Sequence, residues 1–211
     1  MVGFFKNIFG KNNKNNDENN NESKEINKIK FIEYIKRENI LYNDEYDENK
    51  KNVLVMDDKK DIVDGVIDDM FILDDKKLID INDYNIFTFY GKMAAFNIIE
   101  FLDKFENYLK IDYAVLDIIV GGKRFKDGKK VILDGIDVAY ELKKRYENVF
   151  VVFYTGCMIE NEDDLLMNIS YVEKFKKYFG DSIYNYLISK SENIDDELEY
   201  LHKFFNGEYG F

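Results

Sequence analysis

"NVLVMDDKKD", Asn52 to Asp61, runs four apolar residues, Val53 to Met56, into two adjacent carboxylates, Asp57 and Asp58. So short an apolar run, closed by polar residues, predicts a strand buried on both faces, as parallel strands are. The two charges at its end repel one another. Two explanations are open from the residues alone. A bound cation offsets the repulsion, or the acids cap a helix that starts just beyond.

The same texture recurs downstream. "NIFTFY" (85–90), "YAVLDI" (113–118), "VFVVFY" (149–154) and "YNYLIS" (184–189) are short runs rich in β-formers. Helical patterns separate them: Ile62 to Leu73, Lys92 to Tyr108, Gly135 to Tyr146 and Asp163 to Phe179, with a last helix from about Asp195 to Phe205. This alternation predicts an α/β fold, a doubly wound five-stranded parallel sheet with helices on both faces.

Composition narrows the function. Of the 211 residues, 45% are hydrophobic, enough for a sizeable core. The net charge of −12 argues against a broad nucleic-acid-binding face, because such affinity comes mainly from Lys and Arg neutralising phosphates. The single cysteine, Cys157, excludes an intrachain disulfide, and the single histidine, His202, excludes a two-histidine metal motif. No apolar stretch approaches the roughly 20 residues of a membrane span. The start, "MVGFFKNIFG", lacks a small-residue cleavage site, so a cytoplasmic protein is expected.

Three segments are expected. Residues 1–21 join a short apolar stretch, capable of weak contact with a membrane surface or a partner, to an Asn-rich disordered linker. Residues 22–50 hold an amphipathic helix, on which Ile26, Ile29, Ile32 and Ile35 recur three apart, and a loop. Residues 51–211 form the main domain.

In open α/β sheets ligands bind beyond the carboxyl ends of the strands. The first strand ends at Asp57 and Asp58, the third reaches Asp117, the fourth ends at Thr155 and the fifth at Ser189 and Lys190. Three gathered carboxylates call for a cation or a proton among them. Mg2+ suits oxygen ligands and phosphate partners, a carboxylate can accept a phosphoryl group, and Lys190 and Thr155 supply a cation and a hydroxyl donor for its oxygens.

With these residues in place the sequence resembles the receiver domain of two-component response regulators. The matching segments are "VLVMDDKKDI", "YAVLDI", "LDGIDVAYELKKRYENVFVVFYTG" and "YLISKS", in the family's order across about residues 52 to 206. The resemblance implies Asp117 as phosphoacceptor. It implies Asp57, Asp58 and Asp117, with the Ile119 backbone carbonyl, as holders of Mg2+. Thr155 would be the switch hydroxyl and Lys190 the lysine that contacts the phosphoryl group. A histidine kinase or phosphotransfer protein would be the donor, and output would pass by protein contact to a downstream partner.

The chain departs from the family at four places. Ser191 stands where a proline usually follows the lysine. The fifth-strand aromatic position holds Leu187, with Tyr186 one residue earlier, so that ring faces the other way. The segment after Thr155 is long. "IIVGGKRFKDGKKVI" (118–132) lengthens the loop after Asp117 with five cations; it reads as a flap or kinase-docking element, or simply as a solvated β-hairpin. Two other functions compete: a receiver-fold interaction module without phosphoryl chemistry, and a Mg2+-dependent phosphatase or phosphotransferase of the haloacid-dehalogenase type. That type needs a second Asp two residues after the first, where Lys59 and Lys60 stand here.

Overall fold

The first apolar run is a strand, and helices packed on either side of its sheet explain its burial on both faces. The computed structural model describes residues 17–43, 45–71, 80–106, 108–120, 122–126, 128–155, 169–181, 186–189, 194–208 and 210–211. In chain order the elements are α1 (Asp17–Glu38), β1 (Lys51–Asp57), α2 (Lys60–Phe71), β2 (Tyr84–Tyr90), α3 (Ala94–Phe105), β3 (Tyr113–Leu116), β4 (Lys123–Lys126), β5 (Lys129–Ile132), α4 (Gly135–Arg145), β6 (Phe150–Thr155), α5 (Ile169–Phe179), β7 (Leu187–Ser189) and α6 (Ile194–Phe205).

Five strands form one sheet in the order β2-β1-β3-β6-β7, and every pairing in it is parallel. Renumbered along the sheet's own strands this is 2-1-3-4-5, the doubly wound order of flavodoxin-like folds. Side chains alternate across it. Leu54, Met56, Ala114, Leu116, Val151 and Phe153 enter one core with α3, α4 and α5. Val53, Val55, Tyr113, Val115, Val152 and Tyr154 enter the other with α2 and α6. The expected doubly wound α/β architecture is therefore the observed one. The loop after Asp117 forms an antiparallel hairpin, β4 with β5, separate from the main sheet.

The N-terminal helix requires two corrections. It begins at Asp17, so residues 17–21, expected as disordered linker, are helical. Its buried face also differs from the Ile26-Ile29-Ile32-Ile35 stripe. Phe31 and Ile35 are buried, whereas Ile26 and Ile29 are exposed. A helix turns about 100° per residue, so three-residue steps lag by about 60° and carry Ile26 roughly opposite Ile35. Phe31 and Ile35, four apart, share the inward face.

Residues 39–43 and 45–47 then lie along the outer edge of β2. Thr88 N donates to Ile40 O at 2.7 Å, Tyr42 N to Ile86 O at 2.8 Å, and Ile86 N to the Asn43 side-chain oxygen at 3.0 Å. Asn85 Nδ2 donates to Asp47 O at 2.7 Å. The segment thereby satisfies backbone groups that an uncovered edge strand would present to other chains.

No described helix is long and apolar enough to cross a membrane. Residues 1–16, Cys157, Asp163 to Asn168, Tyr184, Asn185, Lys190 and Ser191 fall outside the described residues, and so does the His202 side chain.

Candidate functional site

Register brings the acidic residues together. Met56 of β1 is paired with Leu116 of β3, so the residues that follow, Asp57 and Asp117, emerge side by side at the carboxyl end of the sheet. Asp117 N donates to Met56 O at 2.8 Å and prolongs that pairing by one step. One carboxylate oxygen from each of Asp57, Asp58 and Asp117 lies within 4.8 Å of the others. Asp57 and Asp117 are buried and Asp58 is exposed, so the cluster opens to solvent on one side.

Asp57 Oδ1 accepts from Lys59 N at 2.9 Å and turns the chain into α2. Asp57 thus shapes the helix entry and also contributes to the cluster. Thr155, 2% exposed, ends β6 on the same edge of the sheet and is paired with Ser189.

The three-carboxylate donor set fits a divalent cation. Mg2+ binds oxygens at about 2.0–2.1 Å and keeps several waters. Oxygens 4.8 Å apart reach that geometry by side-chain rotation or through a bound water. Beyond Asp117 the backbone turns tightly. Ile118 O accepts from Val120 N at 3.3 Å and from Gly135 N at 3.2 Å, and Val120 O accepts from Gly122 N at 3.0 Å. Ile119 O receives no backbone donor among the described residues.

Three features of the site were not apparent from the residues alone. Gly135 is required where it stands: a Cβ there would lie 2.2 Å from Asp117 O and 3.2 Å from Ile118 Cα. Asp134 caps α4, accepting from Ile136 N at 3.0 Å and Asp137 N at 3.1 Å, while the Asp137 side chain accepts from Asp134 N. Lys174 of α5 closes the group, with Nζ 2.7 Å from Asp134 Oδ2 and 2.5 Å from Asp137 Oδ2. Its two carboxylate partners stand 40 and 37 residues away in the chain.

Burial and the neighbouring Asp137 charge raise the Asp134 pKa against the opposing pull of Lys174. Burial works to lower the Lys174 pKa, but the two carboxylates outweigh it and raise it. Replacing Lys174 with Met leaves two adjacent carboxylates in a confined space. Removing one partner of a fully buried pair costs about 3–5 kcal/mol; with the Lys174 side chain 23% exposed, the expected loss is about 2–3 kcal/mol at neutral pH. A carboxyl whose folded pKa is raised destabilises above that pKa, and the loss is relieved as pH falls through it toward the unfolded value. Denaturant melts of Lys174→Met should therefore show a deficit that narrows on acidification. A deficit that does not narrow as the pH falls toward the ordinary Asp range would contradict this account.

No protein-family model matches the chain, and no curated protein does. Among solved structures it resembles receiver domains of response regulators. The beryllofluoride-activated DrrB receiver domain is 15% identical, with a TM-score of 0.44, covering 74% of this chain and 98% of that one. The Mn2+-bound form of response regulator Rcp1 is 20% identical, TM-score 0.45, covering 74% and 94%. The isolated receiver domain of RcsB from Salmonella enterica serovar Typhimurium, with beryllofluoride, is 18% identical, TM-score 0.45, covering 76% and 92%.

Proposed function

We propose that this chain is a receiver-like signalling protein of the cytoplasm that accepts a phosphoryl group on Asp117. The observation that carries the reading is the convergence of Asp57, Asp58 and Asp117 at the carboxyl end of a parallel sheet. Asp57, Asp58, Asp117 and the Ile119 carbonyl would hold Mg2+, which when bound neutralises charge on the site and on an incoming phosphoryl group. The resemblance to receiver domains makes Asp117 the acceptor; it stands at the end of the strand that leads into the loop tied to the α4 N-terminus. Thr155 would donate its hydroxyl to a phosphoryl oxygen, and Lys190 would supply a cation there. A histidine kinase or phosphotransfer protein is the expected donor, and output would be contact with a downstream protein. No sustained turnover of phosphate esters is expected.

A second reading has one observation behind it. Tyr186 packs on Phe175 and Phe211, with ring centroids 6.1 and 4.7 Å away. Held there, it supports a receiver-fold interaction module that does without an aromatic switch linked to Thr155. Incubation with acetyl phosphate and Mg2+, followed by intact-mass measurement, separates the readings. The phosphoryl reading expects one added group, lost in Asp117→Asn. An unmodified chain, or a modification that survives the substitution, favours the interaction module.

A further inference from the structure

The hairpin that leaves the site carries charge opposite to the chain as a whole. Between Lys123 and Ile132 stand five cations and one carboxylate, in a protein of net charge −12. Its inner face is pinned. Arg124 is paired with Glu100 and lies over the Phe96 ring at 4.8 Å, and Val131 opposite it is half-buried. At its base Gly122 sits so close to the β2–α3 loop that a Cβ would lie 2.0 Å from Lys92 O. A fixed hairpin holds its charges in place at no ordering cost when a ligand arrives.

Lys92, Lys123, Lys129 and Lys130 are exposed, and none forms an ion pair among the described residues. Lys92 and Lys123 adjoin at the hairpin base, where Gly122 abuts Lys92 O, and the hairpin carries Lys129 and Lys130 beyond them. Lys92 is two residues beyond Tyr90, the strand partner of Asp57. Only five residues separate Asp117 from Lys123, a span of at most about 20 Å. Two residues separate Ile132 from Gly135, whose Cα abuts the Asp117 carbonyl.

We infer that Lys92 and the hairpin lysines Lys123, Lys129 and Lys130 form an electrostatic guide that draws small anionic phosphodonors, acyl phosphates in particular, to the acidic site. The inference rests on the phosphoryl reading above. The chain's overall charge repels a dianion, and so do three clustered carboxylates. A local positive field at the mouth reverses that repulsion and enriches the anion where it reacts, an effect worth about tenfold or more. In the transfer itself an Asp117 carboxylate oxygen forms a bond to phosphorus as the bond from phosphorus to the acyl oxygen breaks. The leaving group departs as acetate with that bond's electron pair, and no net proton moves.

The test compares the native chain with the variant Lys92→Gln/Lys123→Gln/Lys129→Gln/Lys130→Gln at saturating Mg2+. Initial rates of incorporation from acetyl phosphate are measured from about 0.02 M to about 1 M ionic strength, where the screening length falls to about 3 Å. The native rate should exceed the variant's about tenfold at low ionic strength, and the two should converge at high. Equal rates at low ionic strength, or a gap that salt leaves unchanged, would overturn the guide. A metal-free arm titrates inorganic phosphate and follows amide chemical shifts at low ionic strength. Shifts centred on Gly122 to Arg124 are expected in the native chain and not in the variant, and their absence would also overturn it. A native chain that takes up no phosphoryl group defeats the phosphoryl reading instead, while the metal-free arm still reports on the lysines.

Discussion

Gly135→Ala should disable the site while leaving most of the fold standing. The added methyl would sit 2.2 Å from Asp117 O and 3.0 Å from its carbonyl carbon, well inside contact distance. Both are backbone atoms and cannot swing aside as a side chain would. Either α4 or the Asp117 loop must move. Overpacking of this kind costs about 1–3 kcal/mol. The functional loss should be larger, since a displacement of about 1 Å at a reacting group costs on the order of 100-fold in rate. Gly65, inside α2, is the control: a methyl added there would meet nothing within 4 Å, and its backbone angles are ordinary. Gly65→Ala should stabilise the chain by about 0.5–1 kcal/mol, because Gly loses more freedom than Ala in a helix. Phosphoryl uptake and melting temperature, measured for both variants, check the pair. A Gly135→Ala protein with native uptake would show that the close approach of α4 does not position Asp117.

The largest expected change in stability comes from Phe31→Ala. Phe31 is 0% exposed although it belongs to a helix that precedes the first sheet strand. Its ring meets Tyr46, Tyr108, Phe105, Phe101 and Phe87 at centroid distances of 4.9, 5.0, 5.2, 6.1 and 6.2 Å. These partners come from the loop after α1, from α3 and the segment following it, and from β2. Truncating a buried Phe costs about 3–5 kcal/mol through lost transfer energy and the cavity left behind. Because α1 and the sheet share one core, denaturation should remain a single transition, shifted as a whole. A loss below about 1 kcal/mol, or a separate early transition for α1, would show that the helix is an appendage.

The sheet was legible because parallel strands buried on both faces are short and apolar throughout, as "VLVM" and "FVVFY" are. The acidic cluster was legible for a related reason: a polar residue that ends such a run has few places to be other than the sheet's carboxyl edge. The inward face of α1 was not legible, since three-residue isoleucine spacing mimics a stripe yet winds around the helix. Nor was the contribution of Gly135 or Lys174. A glycine's close approach to another strand's carbonyl, and a lysine's pairing with carboxylates 37 and 40 residues away, exist only once α4 and α5 are packed. The basic loop stood open in the sequence between a flap or docking element and a solvated β-hairpin, and its anchoring through Arg124 on Phe96 and Glu100 was not legible there.

Peptide mass mapping after treatment with acetyl phosphate, with and without Mg2+, tests the central claim most directly. The account predicts one phosphoryl group, located on Asp117, formed with Mg2+ and absent when the cation is chelated. A phosphoryl group on Asp57 or Asp58, one acquired equally well without a divalent cation, or none at all would contradict it.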